Sequence, residues 1–102
     1  NVGTFEIKQV MNYSSLDEAR KASLLDAGAG LVSNDASKLD LVPGFTIVAN
    51  VTTAAGSRFT TYRGYIYRYS LWLITSQLDR KAASFAAVQK DIDAMTASWF
   101  WQ

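Results

Sequence analysis

Apolar and polar positions alternate through Thr4-Phe5-Glu6-Ile7-Lys8 and run on into Val10 and Met11. That is the two-residue period of a half-buried strand, with an irregularity near Gln9. Ser15-Leu16-Asp17-Glu18 then has the Ser-x-x-Glu form of a capping box, so a helix is predicted to start there. It runs through Ala19, Ala22, Leu24 and Leu25 toward Ala27, and Gly28 and Gly30 are suited to ending it. Between Leu31 and Pro43 the segment Ser33-Asn34-Asp35-Ala36-Ser37 has turn composition, and Leu39, Leu41 and Val42 indicate a short extended element. The pattern alone leaves that stretch open.

From Phe45 to Thr53 the chain is rich in β-branched residues and is bounded by Gly44 and by Ala55-Gly56-Ser57, which predicts a strand and a turn. Strand character resumes over Arg58 to Tyr62 and Tyr65 to Thr75. Gly64 is expected to mark either a tight turn between two strands or a bulge within one. Strict alternation would place Tyr65, Tyr67, Tyr69, Leu71 and Leu73 on one face and Ile66, Arg68, Ser70, Trp72 and Ile74 on the other. Phe85, Val88, Ile92, Met95 and Trp99 follow helical spacing, giving an apolar stripe on a helix from about Ala82 onward, with Lys90, Asp91 and Asp93 off the stripe. Helices near both ends of an antiparallel meander bury their stripes by packing on the sheet. The expected fold is therefore α+β: an antiparallel sheet of three to five strands with two main helices packed on it as a layered sandwich, in a single domain over 1–102.

Composition narrows the chemistry. Ten Lys and Arg against nine Asp and Glu leave a formal charge of +1, so no global field steers the chain toward nucleic acid or anionic lipid. Cysteine and histidine are both absent, which removes disulfides, thiol nucleophiles, His-activated nucleophiles and His- or Cys-ligated metal. No stretch approaches the roughly 20 apolar residues of a spanning helix. Starting at Asn1 without a methionine or a signal-like segment, the chain reads as a processed or excised piece.

The run from Arg58 to Tyr69 interleaves aromatic and basic side chains, the mixture with which sheet surfaces bind single-stranded nucleic acid. A strand half-buried under a helix calls for the same amphipathic residues. Asp35 and Asp40, with Asn34 and Ser37 nearby, form an oxygen-rich cluster whose spacing matches no calcium loop. In the tail Trp99-Phe100-Trp101, Trp99 completes the helix stripe, while Phe100 or Trp101 either stays near the surface for a partner or folds back onto the sheet.

In its second half, Gly44-Phe45, a hairpin, Tyr65-Ile66-Tyr67-Arg68-Tyr69-Ser70-Leu71 and a helix from Phe85 to Ser98-Trp99-Phe100 follow one another. This order resembles the closing portion of the Mog1/PsbP-like α/β/α sandwich, and the helix after Ser15 is similar to one that precedes the sheet in that group. The resemblance implies accessory or regulatory roles without catalysis and favours an extracytoplasmic location.

The functional expectation is a non-enzymatic accessory or protein-interaction domain using exposed aromatic surface, with another protein or a second copy of the chain as partner. Its contact residues would be Tyr62, Arg63, Tyr65, Tyr67, Arg68, Phe100 and Trp101, with no catalytic residue, cofactor or metal. The alternative is a module on the Tyr/Arg-rich sheet for a small ligand or, less favoured, single-stranded nucleic acid.

Overall fold

A computed structural model describes residues 3–10, 16–54, 56–99 and 101. Its elements in chain order are β1 (Gly3–Val10), α1 (Leu16–Ala27), a 3₁₀ turn (Gly28–Gly30), β2 (Leu31–Leu39), β3 (Val42–Thr53), β4 (Gly56–Tyr67), β5 (Ser70–Leu78) and α2 (Phe85–Ala97). The five strands form one antiparallel sheet in the order β1-β5-β4-β3-β2. Strands β2 to β5 are a meander, and β1 closes the far side by pairing with β5 from Gly3↔Leu78 to Val10↔Leu71.

The two helices cover opposite faces. Because side chains alternate along a strand, Phe45, Ile47 and Ala49 of β3, Tyr62 of β4 and Leu71 of β5 all point to α1, where Ala19 and Ala27 meet them in one buried cluster. Leu16, Leu24 and Leu73 pack around its rim. On the other face Tyr65 and Ile74 are buried with Leu39 under Trp99 and Trp101, and α2 approaches through Phe85, whose ring stands edge-on to Phe59 with centroids 5.9 Å apart. Val88 and Ile92 of α2 face Phe5 of β1 and Leu78 of β5. Each fully buried Leu, Ile or Phe contributes about 2 kcal/mol, so both layers are needed.

Three sequence expectations change, and the stretch left open is resolved. The segment from Ser33 to Ser37, with turn composition, is the middle of β2, an edge strand whose outer side needs no partner and which therefore tolerates Asn34, Asp35 and Lys38. Gly64 is neither turn nor bulge, since β4 runs unbroken past it in regular register with β3 and β5. The chain turns at Arg68-Tyr69, which ends β4 two residues before the predicted single strand continues. That turn reverses the expected faces: Tyr65 lies opposite Trp72 and Tyr67 opposite Ser70, while Leu71 and Leu73 join Ile66 on the α1 side. Lastly, α2 starts at Phe85, after a turn closed by the Phe85 amide donating to the Ala82 carbonyl at 3.1 Å. Ser15, the expected cap of α1, lies outside the described residues.

Candidate functional site

At the end of the sheet where β1 and β4 finish and β5 starts, Tyr65, Tyr67, Tyr69 and all three tryptophans gather. Strand β4 presents Tyr65 and Tyr67 to the α2 side, and β5 sets Trp72 opposite Tyr65. The tail then returns: the Trp101 amide donates to Asp40 Oδ2 at 3.0 Å, and its indole Nε1 donates to the Leu39 carbonyl at 2.7 Å. Trp101 thus lies over the sheet, stacked on Tyr67 at 4.6 Å and 26°. Trp99, Trp72 and Tyr65 meet it edge-on at 5.3, 5.9 and 6.3 Å, the offset geometry that ring quadrupoles favour.

Tyr67, Trp72, Trp99 and Trp101 wall a cleft of about 320 Å³ whose polar lining is Gln9, Arg68 and Ser70. The Gln9 amide donates to Ser70 Oγ at 3.0 Å, and the Arg68 guanidinium lies 5.2 Å from the centre of the Tyr67 ring, within cation–π range. Trp99 Nε1 is shut away from solvent with no acceptor among the described residues.

Two hairpin tips lie at this end of the sheet. Asp40-Leu41 joins β2 to β3 and Arg68-Tyr69 joins β4 to β5, and all four residues have positive φ, from 46° to 70°. This is the signature of two-residue type I′ turns, which normally recruit Asn and Gly. For a residue with a Cβ the left-handed conformation costs roughly 1–2 kcal/mol. Yet Leu41 is 85% and Tyr69 96% exposed, so neither side chain repays that cost by burial.

The expected contact residues divide between places. Tyr65, Tyr67, Arg68 and Trp101 come together at this end. Tyr65 is itself buried, and its hydroxyl is within 3.3 Å of Ser37 Oγ. Tyr62 points to the other face, where its hydroxyl donates to Asp26 Oδ2. Its phenol is pushed above the ordinary tyrosine range, first by burial and then by the hydrogen bond and charge of Asp26. Arg63 is largely covered beneath α2, 4.0 Å from Asp93. Phe100 lies outside the described residues. Arg58 and Arg68 sit near opposite ends of β4, roughly 30 Å apart at about 3.3 Å per residue. The basic positions of the run therefore do not form one track.

Gln9, Trp72, Leu41 and Tyr69 belong to the site through register and turn position. The signal that could have pointed to the turn was the length of the strand pattern from Tyr65 to Thr75, which exceeds the usual five or six residues. Among the described residues no three His, Cys, Asp or Glu side chains gather as a metal site. In comparisons with known proteins, no family model matches the chain and no curated protein matches it.

Proposed function

We propose that the chain is a non-enzymatic interaction domain that docks another protein with the hairpin end of its sheet. The observation that carries this reading is the display of Leu41 and Tyr69 in the left-handed region, almost fully exposed, on two hairpin tips at the end of the sheet that holds the tryptophan cleft. Strain held in the backbone without return in the folded chain is commonly put to use in recognition. Tyr, Trp and Arg are the residues that most often dominate protein interfaces, and Tyr69, Trp101 and Arg68 supply one of each. The accessory roles implied by the Mog1/PsbP-like resemblance agree with this reading.

The reading relocates the expected contact surface. Trp101 serves as a wall of the site because its backbone and indole are both tied to the β2–β3 turn. Tyr69 takes the place of the free aromatic anchor. A photo-crosslinking side chain placed at position 69, compared with one at position 25 on the outer side of α1, tests it in host extract. A discrete protein adduct from position 69, competed by unlabelled wild type and not by the Leu41→Asn/Tyr69→Asn double variant, is expected. Identical adducts from both positions would refute it.

A second reading has one observation of its own: all three tryptophans of the chain surround a single cleft. Aromatic walls with a few convergent polar groups are the usual form of a small-ligand site. Its nucleic-acid version is weakened by the separation of Arg58, Arg63 and Arg68. Intrinsic fluorescence reads this cleft alone, so a ligand entering it changes the emission of every tryptophan.

A further inference from the structure

A second cleft, of about 380 Å³, lies at the opposite end of the sheet, between the β3–β4 hairpin and the loop that follows β5. Arg58, Arg80 and Lys81 line it with a single carboxylate, Asp79. Asp79 Oδ1 accepts the Lys81 backbone amide at 2.9 Å. Among the described residues none of the three cations has an ion pair, whereas Arg63 does. Three like charges facing a single carboxylate repel one another, and the cleft carries a surplus of two positive charges.

The cations are also held. The Arg80 guanidinium lies over the Phe59 ring at 4.4 Å, and that ring is fixed edge-on against Phe85. A guanidinium stacked on an aromatic face keeps its N–H edge free for a planar pair of oxygen acceptors. Arg58 is tethered through one Nη to the Ser57 carbonyl at 3.1 Å, leaving its other donors available. Asn50 adds a neutral amide to the same wall.

We infer that this cleft binds the phosphoryl group of a soluble phosphate monoester, with the Arg80 fork and Arg58 taking its oxygens and Lys81 adding charge. A phosphoryl dianion carries about the charge that the cleft lacks. The cleft is larger than phosphate alone, so the esterified group has room beside it. The ring of Phe59 is already occupied by Arg80, so recognition rests on the phosphoryl group and not on base stacking. This site is independent of the hairpin end and of any protein docked there.

The test is amide NMR of the whole chain, titrated with inorganic phosphate and with glycerol 3-phosphate at constant ionic strength. Saturable shifts centred on Ser57, Arg58, Arg80 and Lys81 are expected, strengthening as pH rises through the second phosphate pKa near 6. Arg58→Gln and Arg80→Gln should each weaken binding about tenfold, the size of one lost charge-assisted contact. Phe59→Leu changes no charge and should weaken it several-fold, while Lys90→Gln removes an equal charge on α2 and should change nothing. Arg80 is exposed and Arg58 half-buried with its guanidinium at the cleft, so the loss of Arg80 is read in folded protein even if Phe59→Leu unfolds. Shifts that never saturate, an equal loss in Lys90→Gln, or binding to phosphatidic acid vesicles without binding to the soluble ester would overturn the inference.

Discussion

The ring of Phe45 lies across Gly64, its directly paired residue on the neighbouring strand, in the space that a Cβ at position 64 would fill. One residue away and on the opposite face the roles are exchanged, and the ring of Tyr65 covers Gly44. These two cross-strand pairs fix the register of β3 on β4 and let each helix layer place a large ring at the centre of the sheet.

Gly64→Ala should therefore destabilise the chain by about 3 kcal/mol, the upper range for overpacking a filled core, as measured by urea denaturation. The loss is predicted to be non-additive with Phe45→Leu, because the smaller side chain vacates the space that alanine needs. Additive losses would mean that the conformation of the Gly64 backbone, and not the ring, is what excludes a side chain.

Glycine placed where the turns carry strain should do the reverse. Tyr69→Gly relieves a left-handed tyrosine that is nearly free of the fold, so a gain of about 1 kcal/mol in thermal or chemical unfolding is expected. Added unlabelled, the same variant should fail to compete for the adduct formed at position 69. Gained stability with undiminished competition would leave the strained turn without the role proposed for it.

Trp101→Ala removes a half-buried ring together with the indole hydrogen bond to Leu39, and should cost about 2 kcal/mol, less than a fully buried tryptophan. Trp72 and Trp99 would then be left more open to water, so the emission of the remaining tryptophans is expected to shift to longer wavelength. Asp40→Ala, which loses the carboxylate that receives the Trp101 amide, should produce a smaller shift in the same direction.

Tyr62 gives the fold a dependence on alkaline pH. Burial and Asp26 raise its phenol above the unfolded value near 10. The unfolded chain therefore gives up this proton more readily than the folded one. The contribution is complete below about pH 10 and is lost as pH rises from there toward the folded pKa. Stability of the wild type should fall more steeply above pH 10 than that of Tyr62→Phe, and ultraviolet titration should show the Tyr62 phenol, identified by its loss in Tyr62→Phe, ionising only as the chain unfolds. Below that range Tyr62→Phe should cost about 1 kcal/mol for the lost hydrogen bond.

Much of the fold was legible because local periodicity is a local consequence of burial. The spacing of Phe85, Val88 and Ile92 required a helix with one covered side, and the β-branched run after Phe45 required a strand. Strand β2 was not legible, since an edge strand with one open side carries Ser, Asn, Asp and Lys as readily as a turn does. The break at Arg68-Tyr69 was hidden for a related reason. A type I′ turn is recognised by Asn-Gly, and here the chain forces Arg and Tyr into it. Trp101 and Tyr67 were both named as contact residues from composition, yet nothing in their separation along the chain foretold a stacked pair.

By itself the sequence determined an antiparallel sheet carrying two helices, a chemistry without thiol or imidazole, and a surplus of aromatic side chains, because composition and period act over a few neighbouring residues. Only the tertiary structure decided which rings share a face, that the helices lie on opposite sides, and that the cations of Arg58, Arg80 and Lys81 meet at one end while three tryptophans meet at the other. Those outcomes depend on register and on where the chain reverses. A shift of one residue in either exchanges every side chain between the two faces of the sheet.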